Sequence, residues 1–415
     1  MQRHLSWALR WFADTGADIT LVTTAGGALP PDSGARSVEI PDTRPGRYSG
    51  AWWRGTRRFI RERPLSDWDA IVSENGGAWA VVEAVRRDRA RPPIAMFRHG
   101  TTLSTIRSSI PPRHPRGVGI ALLSLRDYLR HPRRLARSVD LMIALSDTIA
   151  QSARTEGAGT ETEVRVVRLG VDLQRFFPSS DVAADCRALG LDPSLPTLTW
   201  VGRDTTSKRA ALALSVMDRL SARGFSCQMA LAVAQPRRRT VARVNGLNRR
   251  HGMRVHLFPN ADQDRVRVIH RVSSCLLFPS YWAEGLPITI MEALASGSPV
   301  LGWPGPSFRD LDVFRERKDW VVPSSRAATW ADRTAALLQG AHANGLSRTA
   351  RQIAERYYDI RETARDSVAA VYQLIDRWAR RERSSRTSAS QSWSSRSESQ
   401  PRRPSRPPRR RSAWA

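Results

Sequence analysis

Residues 279–302 read PSYWAEGLPITIMEALASGSPVLG, and the order of residue types along them decides the fold. The apolar run from Cys275 to Phe278 that precedes them has strand length. A turn containing Pro279 and Gly285 follows, then a helical pattern from Leu286 and Pro287 onward, then a second apolar run at 300–303. Proline fits the first helical turn, where its missing N–H would be unpaired in any case. Gly285 lets a ligand approach the backbone closely. Strand, turn, helix and strand, with apolar strands, is the unit of a parallel sheet covered on both faces. Free amides at the start of such a helix form an anion site suited to phosphate. Glu284 stands before the helix and Glu292 on it. At helical rise their spacing is ~12 Å, about the reach from a sugar diphosphate to the nucleoside ribose.

The same pattern extends in both directions. Strands are expected at 197–202, 228–234, 254–258, 275–278 and 300–303, separated by helices at 208–223, 238–250, 262–273 and 287–296. The first half carries strand patterns at 18–23, 70–73, 94–98, 141–145 and 164–168, with helices near 2–14, 78–87 and 147–155. Two doubly wound, Rossmann-like α/β domains facing a cleft are therefore expected. Ligands of such sheets bind beyond the carboxyl ends of the strands, which places the site between the domains. The expected division is an N-terminal domain 1–178, a C-terminal domain 179–358, a helix 359–379 returning to the first domain, and a tail 380–415.

The second candidate loop lies at the end of the first strand of the second domain: Gly202, Arg203, Asp204, Thr205, Thr206, Ser207, Lys208. Arginine offers a planar fork for two phosphate oxygens, and lysine a compact mobile point charge. Of the 66 basic residues only Lys208 and Lys318 are lysines, so an ammonium has been kept at this loop in a chain of 64 arginines.

Composition excludes several classes. Cys186, Cys227 and Cys275 are odd in number and widely spaced, which rules out a disulfide scaffold or a CxxC metal knuckle and fits a reducing compartment. No apolar run reaches the ~18 residues that span a bilayer, and the start MQRHLSWALRWFADTG has helical spacing in place of a signal-peptide core. A cytoplasmic protein is expected. The net charge of +27 is unevenly spread: residues 380–415 hold 11 arginines and two glutamates among Ser, Pro and Gln, and are expected to be disordered. Residues 48–63 and 113–137 mix arginine with aromatic or aliphatic residues. Such a stretch is either a surface helix with one face in the core or a helix lying on an anionic membrane.

Together these motifs resemble the retaining GT-B glycosyltransferases of glycosyltransferase family 4 (glycosyl transferases group 1). The Glu-x7-Glu motif is matched by Glu284 and Glu292, and the Ala-x-Ala-x-Gly-x-Pro-Val run by Ala293 through Val300. The Gly-Arg-x4-Lys loop is matched by Gly202, Arg203 and Lys208, the Gly-Val-Asp-x-x-x-Phe linker by Gly170 through Phe176, and a His-Gly pair by His99 and Gly100. The resemblance implies that Arg203 and Lys208 hold the donor diphosphate and stabilise it as it leaves. It implies that Glu284 binds sugar hydroxyls, with Gly285, Leu286 and Pro287 near sugar and phosphate. It places Glu292 on the ribose and His99 facing the sugar. The implied reaction moves a sugar from a nucleotide donor, with retention, to a glycan or lipid-linked acceptor, with no cofactor and no metal. An anionic membrane is a further expected partner and specific nucleic acid is not.

This chain departs from the family pattern in three places. It starts inside the first helix, so the first strand and Gly-Gly loop of the N-terminal domain are expected to be missing, and an upstream start is the expectation. Leu169 stands where the linker usually has Asn, and the basic tail is an addition. Two rival readings remain, a non-catalytic or degenerate GT-B-fold binding protein and a basic nucleic-acid-associated protein.

Overall fold

The computed structural model describes residues 2–27, 33–45, 49–100, 134–155, 161–281, 287–339, 343–394 and 411–414. It divides into two compact units, Met1–Val167 with Ala364–Ala415, and Arg168–Thr363.

In the first unit, β1 (Asp18–Thr24), β2 (Ala35–Ile40), β3 (Ala70–Glu74), β4 (Ile94–Arg98), β5 (Leu141–Ala144) and β6 (Glu163–Val166) belong to one parallel sheet. Successive strand residues point to opposite faces, and both faces are buried. On one face, Leu9 and Phe12 of helix Gln2–Asp14 and Val371 and Leu374 of helix Ile360–Ser394 pack with Ile19, Val72, Phe97 and Ile143. On the other, Trp52 and Phe59 of helix Gly50–Arg61 and Val82 of helix Trp79–Val85 pack with Val22, Ile71 and Met96.

The basic segment 48–63 is thereby resolved over its helix. Trp52, Thr56, Phe59 and Ile60 are buried at helical spacing, Ser49 Oγ accepts from Trp52 N–H, and Arg54, Arg57, Arg58 and Arg61 face outward. Its aromatic stripe is a core face. Of the second basic segment, residues 113–133 lie outside the described residues. Strand β2 was not expected from the sequence, because it is mostly exposed and its residues ARSVEI lack a long apolar run.

The second unit holds β7 (Thr197–Arg203), β8 (Gln228–Ala234), β9 (Val255–Pro259), β10 (Cys275–Phe278) and β11 (Val300–Gly302), all parallel, in the order β11-β10-β7-β8-β9. The four helices expected between these strands fall within two residues of the expected bounds, while Val182–Ala188, Ala327–Gln339 and Ala343–Tyr357 were not expected. One shift matters for the site. Pro287 is the N-cap, with extended ψ of 96°, and the helix runs Ile288–Ala295. The ~12 Å spacing of Glu284 and Glu292 assumed helical rise throughout, so it does not apply to residues 284–287.

The far end of that helix explains the Ala-Leu-Ala-Ser-Gly-Ser-Pro-Val run. Gly297 is left-handed (φ +79°), its N–H bonds Leu294 O at 2.9 Å, and Ser298 N–H bonds Ala293 O at 2.8 Å. This is a Schellman motif, which requires glycine at the left-handed position and turns the chain into β11.

The Gly-Val-Asp-x-x-x-Phe segment is structural in the same sense. A Cβ at Gly170 would lie 2.4 Å from Ile360 Cα, and Val171 bridges Asp359. Asp172 Oδ1 accepts from Gln174 and Arg175 N–H, and Phe176 is buried. The Arg351 guanidinium ties Phe176 O to Ala295 O, 2.8 Å each. These contacts hold residues 168–178 in the second unit, whereas the sequence reading set the boundary after 178.

Helix Ile360–Ser394 continues past the expected end at 379, and β12 (Arg411–Trp414) lies between β1 and β3, parallel to both. Residues 395–410 and 415 of the expected tail lie outside the described residues. A formed helix adds residues without repeating its nucleation, so it can propagate through Arg, Glu, Ala and Ser. The position in the sheet expected to lack a strand is thus held by the other end of the chain.

Candidate functional site

In the second sheet the chain steps outward from β7 through β8 to β9, then returns to place β10 on the other side of β7. The reversal lies between β7 and β10, and at such a switch point the crevice beyond the strand ends is the binding place. The loops leaving these two strands are the two the sequence singles out.

The end of β7 and the loop after it carry three cations, two of which lie against the ends of β10 and β11. Arg203 ends the strand and is exposed. Lys208 Nζ sits 5.1 Å from the centroid of Phe278, the last residue of β10, and Trp200 Nε1 donates to Lys208 O at 3.3 Å. The Arg209 guanidinium lies 5.1 Å from Tyr281 and 5.5 Å from Trp303, the residues beyond β10 and β11. The ring under Lys208 is itself held. Phe278 stacks on Phe308 at 5.5 Å and 3°, Phe308 stacks on Phe314, and a Cβ at Gly302 would lie 1.6 Å from Phe308 Cζ. Glycine at the end of β11 is therefore what admits the aromatic column supporting the ammonium.

Arg209 was missed by sequence reasoning, since nothing marks one arginine among 64. Its backbone is left-handed (φ +54°), a conformation that costs of order 1–3 kcal/mol in a non-glycine residue and clusters at functional sites. Burial holds its pKa below the ordinary value, with the Tyr281 phenol partly opposing, so its positive charge is incompletely compensated and favours an incoming anion. The acid of the loop is already engaged, as Asp204 Oδ2 accepts from Arg237 N–H at 2.8 Å. Two helix N-termini open nearby without a side-chain cap, at Arg209 before Ala210–Ala222 and at Pro287 before Ile288–Ala295. Helix-start amides and cations are groups that favour anions.

The remaining candidates divide. Glu284, Gly285 and Leu286 lie outside the described residues. Glu292 is buried on helix Ile288–Ala295, with His270 Nε2 3.7 Å from its Oε2. Phe176 places its ring against His270 at 6.4 Å. In the first unit, β3 and β4 are neighbours in register, so the end of β3 meets the residue after β4. There His99 Nε2 bonds Glu74 Oε2, and His99 N–H donates to Asn75 Oδ1 at 2.9 Å. Glu74 and Asn75 were not among the candidates. Asn75 reads in the sequence as a turn residue after strand 70–73, and Glu74 beside it carries no distinct signal. Ser146 Oγ accepts from Ile149 N–H at 3.3 Å, which makes it a helix cap. The three cysteines are buried, and burial pushes the Cys227 thiol up to about 11 and Cys275 to about 12, so both are inert as nucleophiles. No group of metal-ligating side chains assembles among the described residues.

Two Rossmann-like parallel units define a protein of the GT-B class. The family model described as glycosyl transferases group 1 matches residues 195–340, and that described as Glycosyltransferase Family 4 matches residues 1–175. The chain belongs to the family 4 (group 1) glycosyltransferases.

Relatives include WcaL of Escherichia coli, a glycosyltransferase named for colanic acid biosynthesis, 27% identical over 52% of this chain and 53% of WcaL. Another is LpsB of Rhizobium meliloti, named a lipopolysaccharide core biosynthesis mannosyltransferase, 26% identical over 57% of this chain and 68% of LpsB. The chain thus spans about half the length of the first of these relatives. Among solved structures, Anabaena HepE in complex with UDP-glucose superposes with a TM-score of 0.65 at 14% identity, covering 90% of this chain and 95% of HepE. That likeness is one of fold.

Proposed function

We propose that this chain transfers a sugar, with retention of configuration, from a nucleotide-diphosphate sugar to a glycan or lipid-linked acceptor during synthesis of a cell-surface polysaccharide or glycolipid. The observation that carries the reading is the placement of Lys208 over Phe278 and of Arg209 over Tyr281 and Trp303, which sets two cations of the loop after β7 against the ends of β10 and β11. Relatives named for colanic acid and lipopolysaccharide core biosynthesis support the product class, and HepE with UDP-glucose supports the donor class.

In this reading the anomeric C–O bond breaks as the diphosphate departs, through an oxocarbenium-like state. The acceptor hydroxyl attacks the same face, and its proton passes to the departing phosphate oxygen. Fixed cations and amide dipoles aimed at the developing diphosphate charge lower the barrier, with no reorganisation needed as it forms. Three cations supply the charge a divalent metal would supply, so the reaction is proposed to be metal-independent. Glu284, with the Gly285 and Leu286 amides, holds the sugar, Glu292 the ribose, and His99, braced by Glu74, acts on the sugar. The enzyme is proposed to work at the cytoplasmic face of an anionic membrane, with the basic composition of the chain as its support.

The test is turnover of a panel of nucleotide sugars by purified protein, with and without chelator, beside Lys208→Ala and Glu284→Ala. Hydrolysis or transfer of at least one donor is expected, unaffected by chelator and reduced about 10²–10³-fold in Lys208→Ala. Absence of turnover across the panel contradicts the enzyme reading, and loss in chelator contradicts metal independence.

A further inference from the structure

Two contacts from the Gly-Val-Asp-x-x-x-Phe segment converge on Glu292, one through its helix and one through a histidine. Phe176 N–H donates to Asp172 O at 2.8 Å and closes a turn that fixes the Phe176 backbone. The Arg351 guanidinium then ties Phe176 O to Ala295 O, at the end of the helix that carries Glu292. The Phe176 side chain goes elsewhere. It is buried, and its ring meets the His270 imidazole edge to face, at 6.4 Å and 63°. His270 occupies the last turn of helix Gln263–Arg271 and is itself fully buried. Its Nε2 lies 3.7 Å from Glu292 Oε2, and Glu292 is 5% exposed. One segment thus holds both the helix bearing the carboxylate and the imidazole facing it.

A buried carboxylate is costly without a donor or a countercharge close by. An imidazole supplies either one, as a neutral N–H donor or as a cation. A carboxylate offers about four acceptor sites, so one oxygen can face His270 while the group still accepts from two adjacent hydroxyls. In a close-packed interior the ring of Phe176 restricts how the imidazole beside it turns. We propose that His270 is a positioning residue for nucleotide recognition: it orients the Glu292 carboxylate for the ribose of the donor, and Phe176 fixes the imidazole that does so. The proposal rests on the reading of Glu292 as the ribose-binding group. It also gives the linker motif a role at the site, since the aromatic residue that ends the motif braces the side chain facing that carboxylate.

Calorimetric titration of UDP, GDP and ADP and their 2′,3′-dideoxy counterparts into the full chain separates the ribose contact from the diphosphate. For the base that binds most tightly, the wild type is expected to prefer the ribonucleotide about tenfold or more, and Glu292→Gln to lose most of that preference. His270→Phe keeps an aromatic ring beside Phe176 and removes the polar atoms. It is expected to cut the preference about fivefold, with Kd for the dideoxy nucleotide within about twofold of the wild type. His270→Gln, whose amide can donate to Oε2, is expected to recover part of the preference. Phe176→Leu leaves the imidazole without its brace and is expected to cut the preference by a smaller factor. A packing role alone would lower Tm and weaken both nucleotides alike, leaving their ratio unchanged. An unchanged ratio in His270→Phe and Phe176→Leu, beside a lost preference in Glu292→Gln, overturns the positioning role and leaves the ribose reading standing. A ratio indifferent to Glu292→Gln overturns the ribose reading, and the positioning role with it. If His270→Phe does not fold, the ratio in Phe176→Leu decides.

Discussion

Lys208 and Arg209 are neighbours, yet one was legible and the other was not. Lysine is scarce in this chain, and Lys208 falls at fixed distance from a Gly-Arg pair at a strand end, so residue type and spacing both mark it. Arg209 is hidden by abundance, and its left-handed backbone is a property of the loop that no arginine codon signals. That strain yields a prediction. Glycine is free of steric cost in this conformation, so Arg209→Gly should leave Tm unchanged or raise it while lowering kcat/KM for the donor about 10–100-fold. A fall in Tm with kcat/KM intact would make Arg209 a packing residue. The same limit on sequence reading applies to Glu74. A glutamate at the end of an apolar strand gives no hint that the neighbouring strand delivers His99 to it.

The elements most legible were those whose residues leave one choice. Strands β8 and β10 fall at the expected bounds because each is a short buried apolar run between polar turns. The end of helix Ile288–Ala295 was legible as a Gly-x-Pro-Val run, and the structure gives the reason, a Schellman turn that demands φ of +79° at Gly297. Gly297→Ala should therefore destabilise by about 1 kcal/mol from backbone strain, and its Cβ would also lie 2.4 Å from Ser347 Oγ. Differential scanning calorimetry should show Tm down by about 2–4 °C or more. Adding Ser347→Ala should recover the contact and leave the backbone part. Full recovery would mean that strain at Gly297 is negligible. Strand β2 was illegible because only Val38 and Ile40 alternate with polar residues in a short edge strand, and β12 because RSAW follows a run of Arg, Ser and Pro.

At the scale of the molecule, a net charge of +27 is a poor guide to function, since much of it sits on surface arginines and in the tail. Topology is the better guide. Two parallel sheets were readable from alternating strand and helix patterns, and the order β11-β10-β7-β8-β9 turns that pattern into a location by setting the ends of β7 and β10 side by side. The pairing of Arg411–Trp414 with β1 and β3 was not readable, because pairing between segments so far apart leaves no local signature. The claim on which the rest depends is that the cations beyond β7 and β10 hold a diphosphate. Calorimetric titration of nucleoside diphosphates and the matching monophosphates into the wild type and Lys208→Ala tests it most directly. A diphosphate that binds the wild type more tightly than its monophosphate, and loses about tenfold or more in Kd on Lys208→Ala while the monophosphate is unaffected, is the expected result. Equal binding of the two nucleotides, or a diphosphate Kd indifferent to Lys208, would contradict it.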